Sequence, residues 1–142
     1  MQINPKFTQQ EQQFLASIKL RTQFLQDPEG GIVAKCIIKY NNRQLTFKHY
    51  PTAAEIKEGR VHLRNALYTL GNFVYMIEDT DEETSEFIEN MGLSIDSHED
   101  YLKAETLYEQ YLRYVDGLDR LFNYHELEFI MKLYHLMRGN AL

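Results

Sequence analysis

The stretch TAAEIKEGRVHLRNALYTLGNFVYMIED, residues 52–79, is the longest uninterrupted helical pattern in the chain and constrains its fold more than any other feature. Ile56, Leu63, Leu67, Leu70, Val74 and Ile77 stand three, four or seven residues apart. That spacing puts them on one stripe of an α-helix, which has to be buried. Thr52 and Glu55 supply a capping box at its start. Beside the stripe, at about 100° per residue, runs a second line of Lys57, Arg60, Arg64, Tyr68 and Tyr75. Gly59 and Gly71 each cost about 1 kcal/mol relative to alanine in a helix, so they mark a kink or a close helix crossing. The expectation is a long central helix, core-facing on one side and cationic on the other.

The segments around it carry their own start and stop signals. Thr8 with Glu11 forms a capping box opening a first helix, with Phe14, Leu15, Ile18, Thr22 and Leu25 inward and Asp27-Pro28-Glu29-Gly30-Gly31 as its stop. IVAKCIIKYNNRQLTFKHYP then alternates in the manner of a β-hairpin at about 32–50, turning at Asn41-Asn42. That turn sets Tyr40 opposite Arg43, Ile38 opposite Leu45, Cys36 opposite Phe47 and Ala34 opposite His49. One face then carries Ile32, Ala34, Cys36, Ile38, Leu45 and Phe47, the other Lys35, Lys39 and Lys48. A lone hairpin is marginal in water and needs the helices to pack on. Beyond the central helix, Thr80 with Glu83 begins a short helix ending at Gly92. Ser97 with Asp100 begins another, with a break near Gly117 or Asn123. Asn123 with Glu126 begins the last, which stops at Gly139. The fold class is therefore mainly α (α+β): about five helices forming a bundle around a long central helix, plus one β-hairpin after helix 1, in a single domain of residues 1–142.

Composition narrows the function classes. The single Cys36 excludes an intrachain disulfide and a multi-cysteine zinc site and favours a reducing compartment. No run approaches the roughly 20 apolar residues of a membrane helix, and the amino terminus lacks the layout of a secretion signal. A cytoplasmic protein without membrane contact is expected. The net charge of −6 hides a segregation along the chain. Residues 32–64 hold seven cations against two carboxylates, whereas residues 78–128 hold sixteen carboxylates against three cations. Such asymmetry bears on partners and steering rather than on fold.

Motifs with specific chemistry are few. Ile88, Met91, Gly92, Ile95, Tyr101, Ala104 and Tyr108 stand near the spacing of a tetratricopeptide helix pair, but no second copy follows, so the segment reads as a helical hairpin. Asp79-Thr80-Asp81-Glu82-Glu83-Thr84 begins like a calcium loop yet lacks the glycine required at its sixth position, and reads as an acidic helix start. The five histidines stand too far apart for a helical metal site. No metal and no cofactor is expected, for there is also no phosphate-cradling glycine loop and no nucleophile elbow. Arg120 stands five residues before His125 in a helical setting. This pair resembles the R-x4-6-H motif of the HEPN ribonucleases. The resemblance implies that Arg120 would bind the scissile phosphate and His125 shuttle a proton near neutral pH. It covers these two residues only: Leu121 stands where a polar residue is usual, and the hairpin lies outside that family's four-helix pattern.

The basic segment carries the main functional expectation. Lys39, Arg43, Lys48, Lys57, Arg60, Arg64, Tyr68 and Tyr75 combine long cations with aromatic rings and form the candidate partner-binding surface. The first reading is a small acidic binding protein, a regulatory, inhibitory or immunity-type protein–protein module without catalysis, with a homodimer as one form of it. The second is a nucleic-acid-binding protein using the same segment. The third is a HEPN-like ribonuclease.

Overall fold

The computed structural model describes residues 7–28, 30–78, 93 and 97–140. In chain order the described elements are α1 (Gln9–Ser17), β1 (Lys19–Gln26), β2 (Ile32–Tyr40), β3 (Arg43–His49), α2 (Ala53–Glu58), α3 (Leu63–Glu78), α4 (His98–Leu121) and α5 (Tyr124–Asn140). Five helices with an antiparallel sheet make the class α+β. The expected helix opening at Thr80, the calcium-like stretch and the first part of the tetratricopeptide-like pattern lie outside the described residues.

The expected hairpin forms in the expected register: Tyr40 opposite Arg43, Ile38 opposite Leu45, Cys36 opposite Phe47 and Ala34 opposite His49. Asn41 and Asn42 take φ of 50° and 63°, the left-handed conformations that a two-residue hairpin turn demands. The sheet has a third strand, however, and this corrects the reading of the first helix. That helix stops at Ser17, whose hydroxyl donates to the Phe14 carbonyl at 2.7 Å. Residues 19–26 pair antiparallel with β2, giving the order β1-β2-β3. In KLRTQFLQ the spacing of Ile18, Thr22 and Leu25 fits a helix, but Leu20, Thr22 and Phe24 also alternate as a strand. The ladder of β2, which would otherwise be an open edge, decides between them.

The long central helix is also two helices. α2 begins in the expected capping box: the Thr52 hydroxyl accepts from Glu55 N–H at 3.1 Å and the Glu55 carboxylate from Thr52 N–H at 2.9 Å. It ends at Gly59, whose φ of 69° is the left-handed C-terminal cap that favours glycine. α3 then starts at Leu63, and the Glu55 carboxylate also accepts from the His62 N–H at 2.8 Å, just ahead of that helix. One buried carboxylate thus serves the starts of both helices, where backbone N–H groups lack partners and the helix dipole favours negative charge.

α3 packs against both α4 and α5. Its buried stripe is Ala66, Leu67, Leu70, Gly71, Phe73 and Met76, so Leu67 and Leu70 lie where expected while Ile56, on α2, is exposed. The crossing with α5 is close: a Cβ on Gly71 would stand 2.6 Å from the Tyr134 Cβ. α4 runs through Gly117 to Leu121 and breaks only at Phe122-Asn123. There Asn123 and Glu126 exchange backbone N–H contacts with each other's side chains at 2.8 and 2.9 Å and open α5. The inner sheet face (Ala34, Cys36, Ile38, Phe47) joins Leu67, Leu70, Leu118, Ile130 and Leu133 in one apolar core. Among the described residues no helix is long and apolar enough to cross a membrane.

Candidate functional site

The three strands contain no carboxylate, and their alternation divides the side chains between two faces. The face turned from the core reads, row by row across the strands, Lys19, Lys39 and Gln44; Arg21, Ile37 and Thr46; Gln23, Lys35 and Lys48; then Leu25 and Val33. Lys19 stands directly opposite Lys39 and Lys35 directly opposite Lys48. Like charges in directly opposed cross-strand positions destabilise a sheet. Among the described residues no carboxylate forms an ion pair with Lys19, Arg21, Lys35 or Lys39, and no ion pair joins a strand cation to the acidic helix α4. Among the described residues, therefore, the strand cations and the carboxylates of α4 do not neutralise one another in ion pairs. At one end of this face a shallow depression of about 260 Å³ has Leu25 and Val33 in its wall and Lys35 and Lys48 at its border.

The expected partner-binding residues are dispersed. Lys39 and Lys48 belong to the sheet face, while Arg43 at the hairpin turn donates to the Arg120 carbonyl. Lys57 and Arg60 are exposed around the Gly59 break, which cuts them off from the line on α3. Arg64 lies over the Phe7 ring at 5.2 Å. Tyr68 and Tyr75 pack their rings on Tyr134 of α5 at 4.9 and 5.7 Å, and Arg138 covers Tyr75 at 4.4 Å. The tyrosines of the expected line thus join the interface between two helices. Lys19 and Arg21 were missed because they were assigned to a helix; reading residues 19–26 as an alternating strand would have placed them beside Lys35 and Lys39.

Arg120 and His125 are not gathered into one pocket. Arg120 is 77% exposed and paired with Asp116 at 3.1 Å. His125 is 90% exposed, 3.7 Å from Glu128, and lines an open cavity of about 700 Å³ together with Phe14, Tyr40 and Glu126 but without Arg120. The Tyr40 hydroxyl donates to Glu126, which with burial pushes the phenol up to about 12.

Sequence reasoning also missed a polar chain between the sheet and the helices. His49, 4% exposed, contacts Thr69 Oγ1 at 2.6 Å through Nδ1 and the fully buried Glu55 at 3.0 Å through Nε2. Burial is the largest single influence on Glu55 and opposes its ionisation. Hydrogen bonds from Thr52, His49, His62 and Asn65 together outweigh it and hold the carboxyl at about 2. Glu55 is therefore an anion, and in the neutral imidazole it fixes the proton on Nε2, leaving Nδ1 to accept from the Thr69 hydroxyl. Thr69 lines a second cavity of about 600 Å³ walled by aromatic rings of β3's exit, α3 and α4. Only the third dimension joins these groups, since His49 and Thr69 are 20 residues apart.

Comparison of the chain with family models, curated proteins and solved structures found no match.

Proposed function

We propose that this protein is a non-catalytic binding module that docks an acidic protein segment on the outer face of its sheet, in a regulatory or inhibitory role. The observation that carries this reading is the carboxylate-free outer face, with lysines forced into opposed pairs and an apolar depression beside one of them. Among the described residues these cations have no carboxylate partner, and the face gains when carboxylates approach, because they relieve the Lys19–Lys39 and Lys35–Lys48 repulsions as well as pairing with each lysine. The depression bordered by Lys35 and Lys48 suits one apolar side chain flanked by acidic residues, the central anchor and polar rim of protein interfaces.

A protein fits this face better than nucleic acid does. The outward rows carry the apolar side chains Ile37, Leu25 and Val33, which suit a protein segment, and the aromatic residues near them, Phe47 and Tyr114, are confined to the lining of the small depression at one end.

The test is capture of the partner from the native cell, followed by titration of the purified partner with wild type and a Lys19, Arg21, Lys35, Lys39 quadruple alanine variant. At about 0.2–1 kcal/mol for each exposed pair, four lost pairs amount to roughly 1–4 kcal/mol. The variant is therefore expected to bind about fivefold to nearly a thousandfold more weakly, and wild-type binding to weaken from low to high salt. Unchanged affinity in the folded variant rules out this face. Capture of RNA or DNA in place of a protein, with cleavage of neither, favours the nucleic-acid reading. RNA cleavage lost in His125→Ala would establish the ribonuclease.

A further inference from the structure

We infer that the docked segment is held as a fourth strand, an extended acidic stretch of the partner that pairs antiparallel with the outer edge of β1. The inference rests on the docking reading above and adds to it how the partner is held. Among the described residues β1 is hydrogen-bonded to a strand on one side only, whereas the other outer strand, β3, has α4 packed against it. The eight residues Lys19–Gln26 pair with β2 in an unbroken register and include neither proline nor glycine. Proteins ordinarily blunt an edge of this length with proline, a bulge or charge, and here only the charge of Lys19 and Arg21 is present.

The two turns fix which backbone groups that edge offers. Tyr40 and Arg43 flank the two-residue turn and form a hydrogen-bonded pair, so alternate residues of β2 back from there, Ile38, Cys36 and Ala34, bond to β3. Lys39, Ile37, Lys35 and Val33 are then the residues that bond to β1. At the far end the Asp27 N–H donates to the Gly31 carbonyl at 3.0 Å, which continues the same alternation. Lys19, Arg21, Gln23 and Leu25 therefore direct their N–H and C=O groups to β2, and Leu20, Thr22, Phe24 and Gln26 direct theirs to the open edge. Only a polypeptide carries the alternating donors and acceptors that complete such a ladder, with pockets for alternate side chains supplying specificity.

The side chains select the occupant. On the outer side β1 presents Lys19 and Arg21 toward one end and Leu25, in the wall of the depression, toward the other. On the inner side Leu20 and Phe24 are half-buried against the core with Thr22 exposed between them. Directly opposed residues of antiparallel strands share a face. The strand that fits thus carries carboxylates opposite Lys19 and Arg21 and apolar side chains opposite Leu20, Phe24 and Leu25. A second copy of this chain fits poorly: edge to edge, it would bring another Lys19, Arg21, Lys35 and Lys39 onto a face whose strands contain no carboxylate.

The test uses the full chain and the peptide acetyl-Thr-Leu-Val-Glu-Thr-Glu-Val-Glu-amide, which in antiparallel register sets glutamates opposite Lys19, Arg21 and Gln23. Its binding is expected to slow amide hydrogen exchange, followed by NMR, at Leu20, Thr22 and Phe24 by about tenfold or more. The same peptide with lysines in place of its glutamates is expected to bind about tenfold more weakly or worse. Thr22→Pro removes an N–H directed to the open edge and keeps the ladder with β2. It is expected to weaken the peptide about tenfold or more with an unchanged circular dichroism spectrum. Should Thr22→Pro fail to fold, the exchange measurement on wild type decides. The inference is overturned if the peptide does not bind at millimolar concentration, if it binds without slowing those amides, or if folded Thr22→Pro binds it as wild type does. Sedimentation showing that the free chain is a dimer which Thr22→Pro dissolves would also overturn it, in favour of a second copy. The docking reading itself fails when the captured partner keeps its affinity for the quadruple alanine variant. The strand inference fails alone when the partner loses affinity for that variant and keeps it for Thr22→Pro.

Discussion

Glu55→Gln keeps the shape of a fully buried side chain and deletes its charge. In the native protein the carboxylate accepts from His62 N–H at 2.8 Å, Thr52 N–H at 2.9 Å and His49 Nε2 at 3.0 Å. These donors are shared between both oxygens, with Oε1 facing Thr52 and His49 and Oε2 facing His62. Glutamine offers one accepting oxygen and one N–H2 group, so at least one native donor meets another donor, at a cost of about 1–3 kcal/mol. The charge supplies a second measure. Holding the carboxyl at about 2 instead of its ordinary 4.5 corresponds to about 3 kcal/mol at 1.36 kcal/mol per pH unit. Because the folded value lies below the unfolded one, this stabilisation is complete above about 4.5 and is lost as the pH falls toward 2.

Urea denaturation followed by far-ultraviolet circular dichroism is therefore expected to place Glu55→Gln about 3 kcal/mol below wild type at pH 7. The gap should narrow steadily between pH 4.5 and 2. Taking the difference between the two proteins cancels the titration of the other carboxylates. A gap below about 0.5 kcal/mol at pH 7, or one that stays constant down to pH 2, would refute the claim that an ionised Glu55 joins α2 to α3.

Two further substitutions separate rigid from yielding contacts. Gly71→Ala places a Cβ 2.6 Å from the Tyr134 Cβ, next to the α5 backbone, and is expected to cost about 1–3 kcal/mol in thermal or urea unfolding despite the gain in helix propensity. Gly117→Ala meets only the Leu45 Cδ1 at 2.6 Å, the far end of a side chain that can rotate away. It is expected to lie within about 1 kcal/mol of wild type, and a large loss there would show that α4 cannot shift against β3. Cys36 is fully buried, and burial, reinforced by the negative Glu55, raises its thiol to about 12. Labelling by a disulfide reagent at pH 8 should accordingly be slow in native buffer and accelerate with urea at the unfolding transition, whereas labelling within seconds in native buffer would contradict that burial.

What the residues disclose depends on whether a signal is local. The hairpin register was legible because Asn41-Asn42 accept positive φ at both turn positions and because a one-residue slip would expose Cys36, Ile38 and Phe47. The capping boxes at Thr8, Thr52 and Asn123 were legible because each is closed by two residues three apart. The third strand was not, since Ile18, Thr22 and Leu25 satisfy a helical spacing and only pairing with β2 selects the extended form. Nor was the severing of the cationic line at Gly59: glycine is tolerated inside helices, and what ends α2 there is a left-handed cap held by Glu55 across the break.

By itself, then, the sequence determined the α+β class, the positions of most helix starts and the facing pairs of the hairpin, all of which follow from interactions within a few residues or across one tight turn. It also determined that cations and carboxylates occupy different parts of the chain. Only the tertiary structure decided which cations share a face. Lys19 and Arg21 join Lys35, Lys39 and Lys48 because β1 pairs with β2, while Tyr68 and Tyr75 leave the candidate line because α5 covers them. The same holds for the two residues that began as features of one long helix: Glu55 became the buried link between α2 and α3, and Gly71 the point where α5 comes closest. Such roles depend on partners 7 to 63 positions away, where chain spacing carries no information and packing does.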